Sequence, residues 1–279
     1  MKAQEQFSWI FIVIAGAVIL SFFATFAFKY QSLQEEKLAI ELLINLDNAF
    51  FNLQSSPFNT FDTIEIPKDV QITCNSLKIG NRNYSNTNLI FSPKELNDKI
   101  YIWYKPFNFP FKADNFYYIT SSKNKFYLIA NDEKTREFAK SLVENLPDKI
   151  KQNFYIENIK QPNGKNIFLY NSQTNDVKII NQDNKFTVFY NDKIYEDASQ
   201  ELIYGAIFSD DFECLYNKLR LNLEDIIKTY GKKSLILQNS KCNYANFNLK
   251  ELKELRYQNA ERIEKLNENL ASLSCPPLY

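Results

Sequence analysis

The sequence predicts an α+β fold: an N-terminal transmembrane helix extended into the soluble part, a mixed or antiparallel sheet, and a C-terminal helical hairpin packed on it. Three observations predict it. Trp9 to Phe28 supplies twenty residues of which only Ser21 and Thr25 are polar. Between residues 60 and 190, short apolar runs such as "TIEIP", "VQITC", "NLIFS" and "FTVFY" are separated by Asn, Gly, Lys and Ser. After residue 209 the spacing of apolar residues becomes helical.

The first element, residues 1–30, reads as a leader and membrane anchor. Its uncharged run is about 30 Å long as a helix, the thickness of a bilayer's hydrocarbon. Trp9 at one end and Phe28, Lys29 and Tyr30 at the other suit headgroup depth. A cleaved signal would have a shorter apolar region and a clear small-x-small site, and the stretch around Ala24 and Ala27 supplies neither. Residues 31–56 continue as an amphipathic stalk with Leu33, Ala39, Leu43, Leu46, Phe50 and Leu53 on one stripe, packed on its own domain or on a partner helix, until Pro57.

Residues 57–208 form the α+β sheet domain. "SPKE" at Ser92–Glu95 predicts a short helix, and Asn131 or Asp132 caps a second helix that stops at Pro147. Strands surround them, including "IYIWYKPFNFPFKADNFYYIT" and "NIFLYN". In residues 209–279, Asp210 with Glu213, and Asn248 with Glu251, make capping-box patterns before two helices, the first ending at Gly231. Leu252, Leu255, Ile263, Leu266, Leu270 and Leu273 form a near-heptad stripe on the second.

Composition narrows function mainly by exclusion. With 45% apolar residues in 279 there is enough to bury a core. Thirty-three basic residues balance thirty-three acidic ones without long blocks of either sign, so no nucleic-acid partner is expected. The chain has no histidine, which removes the commonest general base and zinc ligand. Its five glycines are isolated, so no glycine-rich phosphate loop exists, and no G-x-S-x-G elbow occurs. The expectation is a non-enzymatic protein without cofactor or metal. A carboxylate pair for envelope substrates stays open, with Asp210, Asp211 and Glu213 read first as helix caps.

Cys74, Cys214, Cys242 and Cys275 are even in number and too widely spread for a C-x-x-C site. They are disulfide candidates. Antiparallel helices would bring Cys214 to Cys275 and leave Cys74 with Cys242; Cys214 with Cys242 is the competing pair. "NYS" makes Asn83 a glycosylation candidate. The count of basic residues flanking the anchor is nearly neutral, so cysteines and sequon carry the expectation that the C-terminal domain is extracytoplasmic.

Residues 101–118 are rich in aromatics. Alternation in "IYIWY" favours sheet core, while Pro106 and Pro110 would hold part of the stretch in a loop. Trp103, Tyr104, Phe107, Phe109 and Phe111 are therefore the candidate partner-binding residues.

The leader "MKAQEQFSW", with Lys2 and Ala3 before Gln4 and an apolar helix, resembles that of archaeal type IV pilin-like precursors; Ser8 stands where mature pilins carry glutamate. "FSDDFECLYNKL", Cys242 and the final "SCPPLY" are similar to membrane-anchored proteins of small archaea, a likeness that implies a location and no activity. Together these readings describe a single-pass cell-surface protein with a structural or partner-binding domain. Its expected partners are the lipid bilayer and proteins of an envelope or filament assembly. The alternatives are a pilin-like subunit or a membrane-tethered carboxylate enzyme.

Overall fold

The computed structural model describes residues 2–55, 60–67, 69–80, 82–174, 176–183, 185–238 and 242–279, with side chains from Val13 onward. α1 (Lys2–Ser55) is one unbroken helix with two kinds of surroundings. Its apolar N-terminal half, including Val18, Phe22, Phe23 and Phe28, is unburied and long enough to cross a membrane. Farther on, Ala39, Leu42, Leu46, Ala49, Phe50 and Leu53 are buried against the domain. Leu42 thus takes the central place expected of Leu43, and Leu33 stays exposed. The break at Pro57 and the side chains of the leader and Trp9 lie outside the described residues.

Nine short strands follow: β1 (Phe61–Glu65), β2 (Val70–Ile72), β3 (Ser76–Ile79), β4 (Arg82–Ser85), β5 (Leu89–Phe91), β6 (Glu95–Leu96), β7 (Lys99–Asn108), β8 (Lys112–Ser121) and β9 (Phe126–Ile129). α2 (Glu133–Glu144) and α3 (Asp148–Lys151) lead into β10 (Phe154–Glu157), β11 (Lys165–Phe168), β12 (Val177–Gln182), β13 (Lys185–Tyr190) and β14 (Lys193–Tyr195). The chain ends in α4 (Gln200–Phe208), α5 (Phe212–Leu237), a 3-10 helix (Leu249–Glu254) and α6 (Tyr257–Ser272).

The strands make three sheets, ordered β1-β7-β8-β5, β4-β3-β2-β6 and β10-β9-β11-β12-β13-β14. In the first, β7 and β8 form a long antiparallel hairpin, and β5 joins β8 in parallel. This sheet is the middle layer. Ile90, Ile100, Ile102, Tyr104, Tyr117 and Ile119 face α1 and the second sheet. Leu89, Phe91, Tyr101, Trp103, Phe116 and Tyr118 face the larger core shared with the third sheet and the C-terminal helices. Burial on both faces explains why β7 and β8 read as nearly continuous apolar runs.

In the third sheet β10, β9, β11 and β12 are parallel, and β13 and β14 complete it antiparallel. α2 starts as expected: the Asp132 carboxylate accepts from Thr135 N, and the Thr135 hydroxyl accepts from Asp132 N. The helix expected at Ser92–Glu95 does not form. Lys94 N donates to the Asp210 carboxylate at 3.0 Å, Asp210 N donates to the Ser92 carbonyl, and the chain pairs as β6 against β2 instead.

α4 has no counterpart in the sequence reading. Ser199 caps it, and every residue from Leu202 to Phe208 is buried, so no amphipathic periodicity marks it. α5 runs through Gly231, around which space is open, because Leu237 beyond it still packs on the core. The expected second helix is broken at Leu255, in the left-handed region at φ 54°. The 3-10 helix returns alongside α5, with Tyr216 Oη donating to the Glu254 carbonyl and Arg220 Nε to that of Lys253, both at 3.1 Å. α6 then ends beside the end of α5, where Lys233 Nζ reaches the Pro277 carbonyl.

Candidate functional site

The aromatic stretch is core, and the partner-binding role expected of it is corrected. Trp103, Tyr104, Phe107, Phe109 and Phe111 are each no more than 6% exposed. Trp103 packs on Tyr118 and Tyr204 with ring centroids 4.9 and 5.0 Å apart. Phe107 stacks between Phe109 and Phe116, and Phe111 lies against Tyr230 and Tyr279. Lys105 lies over this cluster, 5.3 Å above the Trp103 ring and 3.5 Å from Glu201. Trp103, Tyr104 and Phe107 lie on β7 and Phe109 and Phe111 in the turn before β8, and all five are buried.

The cysteines pair as Cys74–Cys214 and Cys242–Cys275, with Cα separations of 5.9 and 5.7 Å. Neither pairing weighed from the sequence occurs. The two helices meet at their C-terminal ends, so Cys242 and Cys275 are neighbours, and the N-terminal end of α5 reaches Cys74 in the loop between β2 and β3 instead. Asn83 is exposed on β4, an edge strand, beside Lys78 of β3.

The acidic group does not cap α5, whose N-terminus carries no side-chain cap bond. Asp210 takes the Lys94 amide and pairs with Lys165 at 3.5 Å. Asp211 accepts from Cys74 N at 3.3 Å, and Glu213 pairs with Lys193. Tertiary partners recruit all three carboxylates, and a local pattern has no means of announcing them.

A cleft lies where Asp210 meets the third sheet. This cleft of about 580 Å³ is lined by Pro93, the start of β9, the turn before β11, and Tyr190 and Asn191 at the end of β13. Gly164 closes its floor: at φ +118°, a Cβ there would stand 2.7 Å from the Lys125 carbonyl oxygen. Lys165 follows, and its ammonium donates to the Ala206 and Ser209 carbonyls at the end of α4 while facing Asp210. Burial pushes this lysine down to about 8, and Asp210 opposes that effect. Tyr190, whose ring lies 5.6 Å from Lys165 Nζ, donates its hydroxyl to the Ser209 carbonyl, and burial makes that hydroxyl a weaker acid than an ordinary tyrosine.

Of this site the sequence singles out Asp210, read first as a helix cap; nothing local marks Lys165 or Gly164, whose partners lie far along the chain. Among the described residues no group of three or more Cys, Asp or Glu side chains is arranged to hold a metal. The described residues thus form an α+β domain carried on a long apolar helix, with two disulfides and a polar cleft into which Lys165 is set. No protein-family model, curated protein or solved structure matches the chain.

Proposed function

We propose that this is a single-pass, membrane-anchored cell-surface protein whose extracytoplasmic domain binds another component of the envelope. The observation that carries the reading is the double character of α1. One uninterrupted helix has an apolar half that no part of the protein covers and a second half that is built into the domain core. A rigid coupling of that kind holds a domain at a fixed height above a bilayer. Two disulfides support an oxidising compartment, since such bonds are rare in the cytosol.

The contact surface offered to a partner is a second stripe on the stalk. Leu33, Ile40, Ile44 and Phe51 are 46 to 68% exposed, lie on the side of α1 opposite Leu42 and Leu46, and repeat at seven and four residues. An apolar helix of another membrane-anchored subunit is the occupant it fits. A pilin-like assembly of copies of this chain is the second reading, favoured by the same stripe.

Thiol labelling of intact cells with a membrane-impermeant reagent, before and after mild reduction, tests the placement. Labelling that appears only after reduction is expected. Labelling that needs cell lysis overturns it.

A further inference from the structure

The cleft on the third sheet is one arm of a larger groove. Tyr190 and Asn191 also border a hollow toward Glu213, Cys214 and Asn217, and another toward Thr174, Asp192 and Ile194. The three hollows meet at the tight turn between β13 and β14, where Asn191 and Asp192 both have positive φ, 47° and 61°. That layout suits an extended chain better than a single small molecule.

Most charges that line the main cleft are already paired, with one another or with residues beside it. Lys165 is paired with Asp210, Asp176 with Lys160 at 2.6 Å, and Lys123 with Asp98 at 2.7 Å. The side chains left without hydrogen-bond partners among the described residues are the amides of Asn163, Asn191 and Asn217, with one cation, Lys125, and one carboxylate, Asp192, whose charges are of opposite sign. All of these are exposed to the groove's solvent. A side-chain amide offers two donors and an acceptor oxygen with no net charge, which matches the paired donor and acceptor character of adjacent sugar hydroxyls. A ligand carrying several charges of one sign would find one free counter-charge here, Lys125 or Asp192, and would have to break existing ion pairs to find more.

We propose that this groove binds a neutral oligosaccharide, with Asn163, Asn191 and Asn217 as its hydrogen-bonding contacts. The assignment is independent of membrane orientation and of the stalk's partner, because it concerns only the composition and geometry of the groove.

The test is calorimetric titration of the full chain in a sugar-free detergent with cellopentaose, maltopentaose, chitopentaose and, as the charged comparison, pentagalacturonate. Saturable binding of at least one neutral pentasaccharide at about millimolar concentration is expected. Asn163→Ala with Asn191→Gly should weaken it by about tenfold or more, the loss of two or more modest hydrogen bonds. Asn191→Gly retains the backbone's freedom to adopt positive φ while deleting the amide. The melting temperature of the double variant, measured alongside, should stay within a few degrees of the parent. No neutral sugar bound at about 10 mM, tighter binding of pentagalacturonate, or unchanged affinity in a folded double variant would each overturn the assignment.

Discussion

Lys218 and Cys74 meet across the two ends of the soluble domain's sequence: Lys218 Nζ lies 3.3 Å from the Cys74 carbonyl oxygen, one helical turn beyond the Cys214 that is bonded to Cys74. The same ammonium reaches the carbonyls of Asn86 at 2.9 Å and Asn88 at 3.3 Å, so its three protons are fully used. Burial holds this lysine below its ordinary value. α5 therefore grips the second sheet twice, once covalently and once through charge-assisted hydrogen bonds. Lys218→Met should cost about 2 to 4 kcal/mol, because three carbonyls lose a charged donor in a partly buried place. Denaturation of the full chain in detergent measures it; a loss below about 0.5 kcal/mol would remove the clamp from the account.

The two disulfides should differ both in worth and in access. Cys74–Cys214 closes a sequence separation of 140 residues and Cys242–Cys275 one of 33. Chain entropy assigns them about 5 and about 4 kcal/mol. Cys214 is exposed, whereas Cys242 and Cys275 are both under 10% exposed. Titration with a phosphine reductant, followed by mass spectrometry of alkylated peptides, should show Cys74 and Cys214 released first. Simultaneous release of all four thiols would contradict that order.

Lys165 makes stability depend on alkaline pH in a defined direction. Its folded value of about 8 lies below the ordinary 10.5, so between those limits the unfolded chain binds a proton that the folded chain has given up. Stability from this group rises with pH across that window. Buried tyrosines act oppositely: Tyr117, Tyr195 and Tyr204 are raised to about 12 by burial and lose stability above their ordinary 10. The lysine's share is isolated by subtracting Lys165→Met from the parent at each pH. A difference that stays flat between pH 8 and 10.5 would show that Lys165 titrates normally.

Much of this architecture is legible in the residues, and the rest is hidden for physical reasons. α1 and α2 show because a long apolar run and a local capping box are properties of neighbouring residues. α4 does not, because complete burial from Leu202 to Phe208 erases the polar face that would betray a helix. The cleft is the least legible part. Lys165 depends on carbonyls 41 and 44 positions away, and Asp210 on an amide 116 positions away, distances at which no pattern operates. The cysteines fail for the same reason: their number was readable, but their pairing is set by which helix ends the 3-10 return brings together.

Two glycines should answer alanine with opposite signs. At Gly164 a Cβ would meet the Lys125 carbonyl at 2.7 Å and the Tyr127 ring at 2.8 Å, at a φ of +118°. Gly164→Ala should cost about 2 kcal/mol or more. Gly231 lies inside α5 with nothing within 4 Å, and Gly231→Ala should gain about 0.5 to 1 kcal/mol from helix propensity alone. Paired melts of the two variants decide it, and a destabilised Gly231→Ala would mean that α5 bends or ends there.

The two faces of the stalk separate folding from assembly. Leu46 is 2% exposed within the core against the middle sheet, whereas Ile44, two residues earlier, is 54% exposed. Leu46→Asp buries a charge among apolar side chains and should unfold the domain or cost at least about 3 kcal/mol. Ile44→Asp should leave folding within about 0.5 kcal/mol of the parent, because that side chain touches little of its own protein. Its effect should fall on association instead. Photo-crosslinking from a benzophenone placed at Ile40, in intact membranes, should trap a second chain in the parent and lose it in Ile44→Asp. If crosslinks persist in that variant while its melt is unchanged, the outward stripe is not the contact surface, and the stalk serves only to hold the domain above the membrane.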